Sequence, residues 1–144
     1  MIFKYYQILR QLYIKNTLAS IFLLKILNKP YELLLSIIYG THVPYNACID
    51  FSCYFPHSFY GIFISGNAKI GKNCIIFHHV TIGSGFPNTE QAPSVKDDVL
   101  IGANATVLGD INIGRNVSIG GACVTKSIED NSVVVSAKNR VFLK

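Results

Sequence analysis

An aliphatic residue returns at every sixth position along "VLGDINIGRNVSIGG", residues 107–121, at Val107, Ile113 and Ile119. An α-helix repeats at about 3.6 residues and a strand at about 2, so neither accounts for a period of six. Extended in both directions, the pattern takes in Ile64, Ile70, Ile76 and Ile82, then Val95, Ile101, Val107, Ile113 and Ile119. All nine are Ile or Val, in a chain of 144 residues that holds 19 Ile and 11 Val, so the run is a built repeat and not chance.

Two further positions repeat with it. Three places after the aliphatic residue stand Asn67, Asn73, Asp98, Asn104, Asp110 and Asn116, and Gly follows it at 71, 83, 102, 114 and 120. Asn and Asp tolerate left-handed backbone angles, so each unit reads as a short strand closed by a corner. Four places after the aliphatic come Ala68, Cys74, Val80, Val99, Ala105, Ile111, Val117 and Cys123, small or branched residues suited to the interior beside a corner. Strand, corner and inward residue, repeated, describe a parallel β-solenoid of hexapeptide type, a mainly β fold. Cys53, Cys74 and Cys123 are thereby expected in packing roles.

Within this run the repeat breaks once, between Ile82 and Val95, where "SGFPNTEQAP" (residues 84–93) reads as a loop thrown out of the coil. Ahead of the repeat, residues 1–42 carry apolar positions at helical spacing and reach Gly40; Pro30 predicts a break into helices over about 3–28 and 31–39. These helices are expected to cover the open end of the solenoid, which occupies residues 43–144. The alternative for residues 1–40 is peripheral attachment to an anionic membrane, because Lys4, Arg10, Lys15, Lys25 and Lys29 stand there against Glu32 alone.

That asymmetry accounts for most of the net charge of +5 and leaves the rest near neutral, without the basic stripe and interleaved aromatics of a nucleic-acid-binding surface. Half of the residues are hydrophobic and 15% are charged, as in a compact folded domain. Cys48, Cys53, Cys74 and Cys123 show no C-x-x-C pair and no zinc spacing, so no metal is expected. Reduced thiols and the lack of a secretory leader pattern predict a cytoplasmic protein.

With the hexads in place, "HSFYGIFISGNAKIGKNCIIFHHVTIGSG" and "APSVKDDVLIGANATVLGDINIGRNVSIGGACVTKSIEDNSVVV" resemble the left-handed β-helix acyltransferases. The resemblance spans about residues 43–141 and is to the branch that contains serine acetyltransferases and O-acetyltransferases of bacterial surface polysaccharides such as colanic acid. It implies a left-handed parallel β-helix, a homotrimer, and acetyl-CoA held in a groove between neighbouring subunits. It also implies that His57, which opens "HSFYGIFI", is the catalytic base. An imidazole suits the work, since it is neutral near pH 7 and can take a hydroxyl proton as the oxygen attacks a thioester.

The chain departs from the serine enzymes at three places. Their ring-orienting Asp, fifteen residues before the base, is replaced by His42, so Asp50 or a backbone carbonyl is the expected substitute. Their second active-site His, just before the Pro that ends the loop, is replaced by Ala92. One residue more than usual lies between His57 and Gly61. The first two differences favour a sugar hydroxyl over serine as acceptor; the third alters the local geometry of the turn.

Counting hexads puts those that start at Phe55, Ile76, Ile101 and Ile119 on one face, stacked at the ~4.8 Å spacing of neighbouring strands. Their third residues are His57, His78, Ala103 and Gly121. His78 is then a supporting residue one coil from the base, and Ala103 and Gly121 form a shallow track for a pantetheine arm. Gly83, Ala103, Gly121 and Lys126 are the expected acetyl-CoA contacts, with Arg115, Lys138 and Arg140 as further phosphate partners.

The resulting expectation is an acetyl-CoA-dependent O-acetyltransferase acting on a sugar hydroxyl of a surface polysaccharide or its precursor, with serine O-acetylation as the alternative. A metal-dependent solenoid hydratase would need three converging imidazoles, and an ice-binding solenoid a regular Thr array. The spacing of His42, His57, His78 and His79 and of the threonines suggests neither.

Overall fold

The computed structural model describes residues 2–85, 87 and 90–136. From Thr41 onward the chain winds through a three-sided coil whose strands are two or three residues long and pair only in parallel, coil upon coil. The first face stacks β2 (Phe63–Ile64), β5 (Thr81–Gly83), β8 (Thr106–Leu108) and β11 (Cys123–Val124), preceded by a bridge from His42 to Phe63. The second stacks β1 (Cys48–Ile49), β3 (Lys69–Ile70), β6 (Ser94–Val95) and β9 (Asn112–Ile113), with Ile128 bridged to Ile113 beyond them. The third stacks β4 (Ile75–Ile76), β7 (Leu100–Ile101), β10 (Ser118–Ile119) and β12 (Val133–Val134), preceded by a bridge from Tyr54 to Ile75.

All nine predicted aliphatic residues point inward and are at most 3% exposed. Burial of each such side chain stabilises the fold by about 1.5–3 kcal/mol, which is how strands this short persist. The solenoid is longer than the nine-residue run: Val43, Ile49 and Phe55 make an earlier coil, and Val124, Ile128 and Val134 a later one. The last coil is tighter. Val124 follows Ile119 by five residues instead of six, so Ala122 fills the interior and Cys123, expected there, is exposed. Cys53 and Cys74 are buried as expected; the Cys74 thiol beside it and burial push the Cys53 thiol up.

The corners are not equivalent. Between the second and third faces the left-handed position is held by Asn73, Asp98, Asn116 and Asn131, at φ of 54°, 60°, 53° and 59°. Their side chains pair from coil to coil, Asn73 Nδ2 donating to Asp98 Oδ1 at 3.2 Å and Asn116 Nδ2 to Asn131 Oδ1 at 2.9 Å. Between the third and first faces the position falls to Ser58, His79 and Asn104. Asn67 and Asp110, between the first and second faces, were expected to be left-handed and are not; near Asp110 the positive φ of 100° belongs to Gly109.

The first coil also departs from the hexad. Nine residues separate Phe55 from Ile64, and the excess forms a turn over residues 56–62 that carries His57. Phe59 roots this turn in the core: it is fully buried and meets Phe55 edge-on at 4.7 Å. Gly61 sits at φ +63°, and a Cβ there would lie 2.1 Å from Nδ1 of the His79 ring.

Helices α1 (Ile2–Lys15) and α2 (Leu18–Leu34) close the end of the coil where it begins, as the capping expectation has it. An uncovered first coil would leave a row of backbone groups unpaired. Tyr6 Oη donates to the Ala47 carbonyl at 2.6 Å, Tyr31 Oη to that of Val43 at 2.8 Å, and Arg10 to that of Asn46 at 3.0 Å. Pro30 does not divide the helices. The break falls at Asn16, with φ +45°, and Thr17, whose hydroxyl caps the Ser20 N–H while the Ser20 hydroxyl accepts from the Thr17 N–H. This reciprocal cap starts α2 twelve residues before Pro30, and the helix runs through the proline into a π-helical turn, Leu35–Tyr39, ended by Gly40 at φ +54°.

Two predictions follow from the cap and the turn. Burial pushes the Tyr6 phenol up to about 12 from its ordinary 10, and raises that of Tyr31 as well. A folded-state pKa above the unfolded one means that the stabilisation is fully present below pH 10 and is lost as pH rises through about 12. Chemical denaturation followed by circular dichroism should show this alkaline loss, and Tyr6→Phe should lessen it while costing about 1–3 kcal/mol at neutral pH through the abandoned Ala47 carbonyl. Gly40 and Gly61 share a positive φ, but a Cβ on Gly40 would meet nothing within 4 Å. Gly40→Ala should therefore cost only the ~1–2 kcal/mol of a left-handed alanine, and Gly61→Ala more, the difference being the displaced His79 ring.

Candidate functional site

The turn over residues 56–62 projects an exposed His57 from the corner between the third and first faces. Its backbone is held on three sides. The Ser58 N–H donates to the Phe55 carbonyl at 3.1 Å, Ile62 to Phe59 at 3.1 Å, and Gly61 to Tyr39 at 3.0 Å. Tyr60 packs edge-on against Tyr39 at 4.8 Å, so the end of the helical cap buttresses the turn. The sequence shows the His57 and Gly61 spacing but not this buttress, because the Tyr39 contact joins segments with no shared period.

Below His57 the stacking follows the hexad count. Tyr54 pairs with Ile75, Ile75 and Ile76 with Leu100 and Ile101, and these with Ser118 and Ile119. His57, His78, Ala103 and Gly121 thus form one column, and Ser136 adds a fifth step, its hydroxyl donating to the Gly121 carbonyl. The rings of His57 and His78 meet edge-on with centroids 4.8 Å apart, one coil spacing. Phe77 flanks His57 at 6.0 Å and His79 flanks His78 at 5.4 Å.

Past the imidazoles the column narrows to backbone. A Cβ on Gly121 would stand 3.2 Å from the Ala103 carbonyl oxygen, so these two residues leave a shallow strip beside the rings. Nδ1 of His78 is buried without a hydrogen-bond partner. A buried ring nitrogen left unpaired costs free energy.

Asp50 is not brought to His57. It opens the other corner of its coil, where its carboxylate accepts from the Ser52 hydroxyl at 2.6 Å and the Ser52 N–H at 2.9 Å. Those bonds hold its carboxyl below the usual carboxylate range, and the Ser52 hydroxyl in turn accepts from Asn73. Asp50 is committed to the corner ladder, which corrects its expected orienting role within one subunit. His42 heads the first face, with its backbone bonded to Ile62 and Ile64. Among the described residues neither His42 nor Asp50 hydrogen-bonds the His57 ring.

The other expected contacts divide. Gly83 ends β5 against Leu108, whose side chain would stand 2.7 Å from an added Cβ, and so lies at the next corner from the column. Lys126 is exposed in the last coil beside a 200 Å³ recess with Cys123, Thr125 and Val134, at that same corner and off the column. Arg115 is exposed at the corner between the second and third faces, where its N–H donates to Asp130. Ala92 lies half-buried against the solenoid. Lys138 and Arg140 lie outside the described residues, as do Phe86, Asn88 and Thr89 of the expected loop.

Comparison with known proteins bears on this arrangement. No protein-family model matches the chain. It is 36% identical over 108 residues to a serine acetyltransferase of Mycobacterium tuberculosis, an alignment that covers 74% of this chain and 47% of that protein. It is 37% identical over 86 residues to the serine acetyltransferase of Bacillus pumilus, covering 58% and 40%. A protein of Escherichia coli K12 named for colanic acid biosynthesis, the acetyltransferase WcaB, is 36% identical over 86 residues, covering 59% and 53%. Among solved structures, Neisseria gonorrhoeae serine acetyltransferase in complex with serine superposes with a TM-score of 0.78 at 27% identity, over 94% of this chain and 53% of that one. The chain spans about half the length of the relatives it matches. The three-faced coil, the hexads and these likenesses together place it among the left-handed β-helix, hexapeptide-repeat acyltransferases, beside the serine and colanic-acid-type acetyltransferases.

Proposed function

We propose that the chain is an acetyl-CoA-dependent O-acetyltransferase with His57 as general base. The observation that carries this reading is the column in which an exposed imidazole stands one coil from His78 and above the backbone strip of Ala103 and Gly121. In the reaction the acceptor hydroxyl attacks the thioester carbonyl. His57 takes the hydroxyl proton as the new C–O bond forms; the C–S bond then breaks, and the proton passes to the departing CoA sulfur. Acetyl-CoA supplies the activated acyl group, and the strip gives its pantetheine arm a place to lie. The edge-on packing of the His78 ring against that of His57 makes it the positioning partner of the base. We place the active assembly as a homotrimer in the cytoplasm, where acetyl-CoA is held. Completion of the groove by a neighbouring subunit accounts for an orienting partner that is not found among the described residues of one subunit.

For the acceptor, the relatives weigh toward L-serine, because serine acetyltransferases predominate among them and a serine complex is among the structural neighbours. A sugar hydroxyl is the second reading. It is favoured by Ala92, which offers no charge or hydrogen bond where the serine enzymes carry a second imidazole, by His42 in place of their Asp, and by the likeness to WcaB.

CoA release by the purified protein, measured against L-serine, nucleotide sugars and oligosaccharides, tests both readings. His57→Ala should lower turnover by about 10²–10⁴-fold. His78→Ala should lower it less and shift the pH profile. Release with serine alone removes the sugar reading, release with sugars alone removes the serine reading, and turnover unchanged in His57→Ala overturns the assignment of the base. Sedimentation equilibrium should give three times the mass of 15.9 kDa.

A further inference from the structure

Helix α2 (Leu18–Leu34) is apolar over most of its circumference, with Lys25, Asn28, Lys29 and Glu32 gathered along one side, yet the solenoid covers one side only. Ser20, Leu24 and Tyr31 face inward and are buried. On the opposite side Leu18, Phe22, Ile26 and Leu33 recur at helical spacing, and Ile37 of the π-helical turn continues the row. They are 90%, 65%, 54%, 61% and 73% exposed. A contiguous apolar row left open to solvent marks an interaction surface, so this outer row calls for a cover.

Charge indicates which. Lys25 and Lys29 line one edge of the row, and Lys4 and Lys15 stand exposed on α1, whereas Glu32, the sole carboxylate before residue 50, is tied to Asn28 Nδ2 at 2.8 Å. A second copy laid on the same row would bring like charges together, but an anionic surface would meet them with opposite sign. Among the described residues no helix is long and apolar enough to cross a membrane, so α2 would lie in the plane of a bilayer and not through it.

We propose that the outer face of α2 docks the protein on an anionic membrane surface, with Phe22 and Ile26 inserted at the headgroup boundary and Lys25 and Lys29 held against lipid phosphates. The docking face lies on the helical cap, so it keeps the protein peripheral. It favours acceptors that are themselves lipid-linked, a consequence resting on the acyl-transfer reading; the docking does not.

Flotation of the full chain with vesicles needs neither acetyl-CoA nor an acceptor, and its outcome stands apart from that of the activity assay. The protein should float with phosphatidylcholine vesicles that contain phosphatidylglycerol, remain behind with phosphatidylcholine alone, and dissociate as salt is raised. Phe22→Asp with Ile26→Asp should abolish flotation. Lys25→Ala with Lys29→Ala should weaken it roughly thirtyfold, at ~1 kcal/mol for each lysine. All four side chains are exposed, so thermal melting should match that of the parent and exclude misfolding. Failure to float with either vesicle overturns the proposal, as does equal flotation with both. If the parent instead sediments above the trimer mass, the aspartate pair returns it to the trimer and no vesicle is bound, the row is an interface between copies and the proposal fails.

Discussion

Every strand of the solenoid is too short to exist alone, and its backbone partners lie only in the coils before and after it. This one-dimensional dependence governs the rest of the molecule. The first coil has no predecessor, and the two helices supply what a predecessor would: hydroxyl donors from Tyr6 and Tyr31 for the carbonyls of Ala47 and Val43, and Arg10 for that of Asn46. Those phenols are buried, and the same contacts that close the backbone edge make the cap sensitive to alkali. The fold's weakest requirement is thus met by side chains that lie outside the repeat altogether.

The repeat was legible because inward burial imposes a strict period, and all nine residues that follow it are buried. What breaks the period was less so. Val43, Ile49 and Phe55 belong to a coil of the same kind, but the His57 turn lengthens the next step to nine residues and keeps Val43 and Ile49 out of the run of nine, although Phe55 is still assigned to its face. Cys123 was misplaced for the converse reason, a step shortened to five. In the helical region Pro30 drew the expected break, whereas the reciprocal cap of Thr17 and Ser20 places the helix start earlier. A proline marks where a helix is weakened, but a cap decides where one begins, and the weaker signal prevailed through packing on the solenoid.

At the site, counting sufficed for whatever the backbone register dictates. His57, His78, Ala103 and Gly121 align because coils stack in whole steps. Lateral relations were not legible. Asp50 is seven residues from His57 in sequence, but the three-sided path places it at another corner, where Ser52 claims its carboxylate. The Tyr39 and Tyr60 contact that steadies the turn likewise joins the cap to the coil across a distance no period spans.

The corner ladder of Asn73, Asp98, Asn116 and Asn131 separates what is constant in this architecture from what is free to vary. From the second face to the third, every coil takes six residues: Ile49 to Phe55, Ile70 to Ile76, Val95 to Ile101, Ile113 to Ile119 and Ile128 to Val134. The other two corners take from four residues to thirteen, and they host both the His57 turn and the excursion between Ile82 and Val95. The ladder behaves as a binding spine, with pages of unequal width attached to it. New chemistry can then be written at the free margins by insertion or deletion without disturbing the phase of the coils.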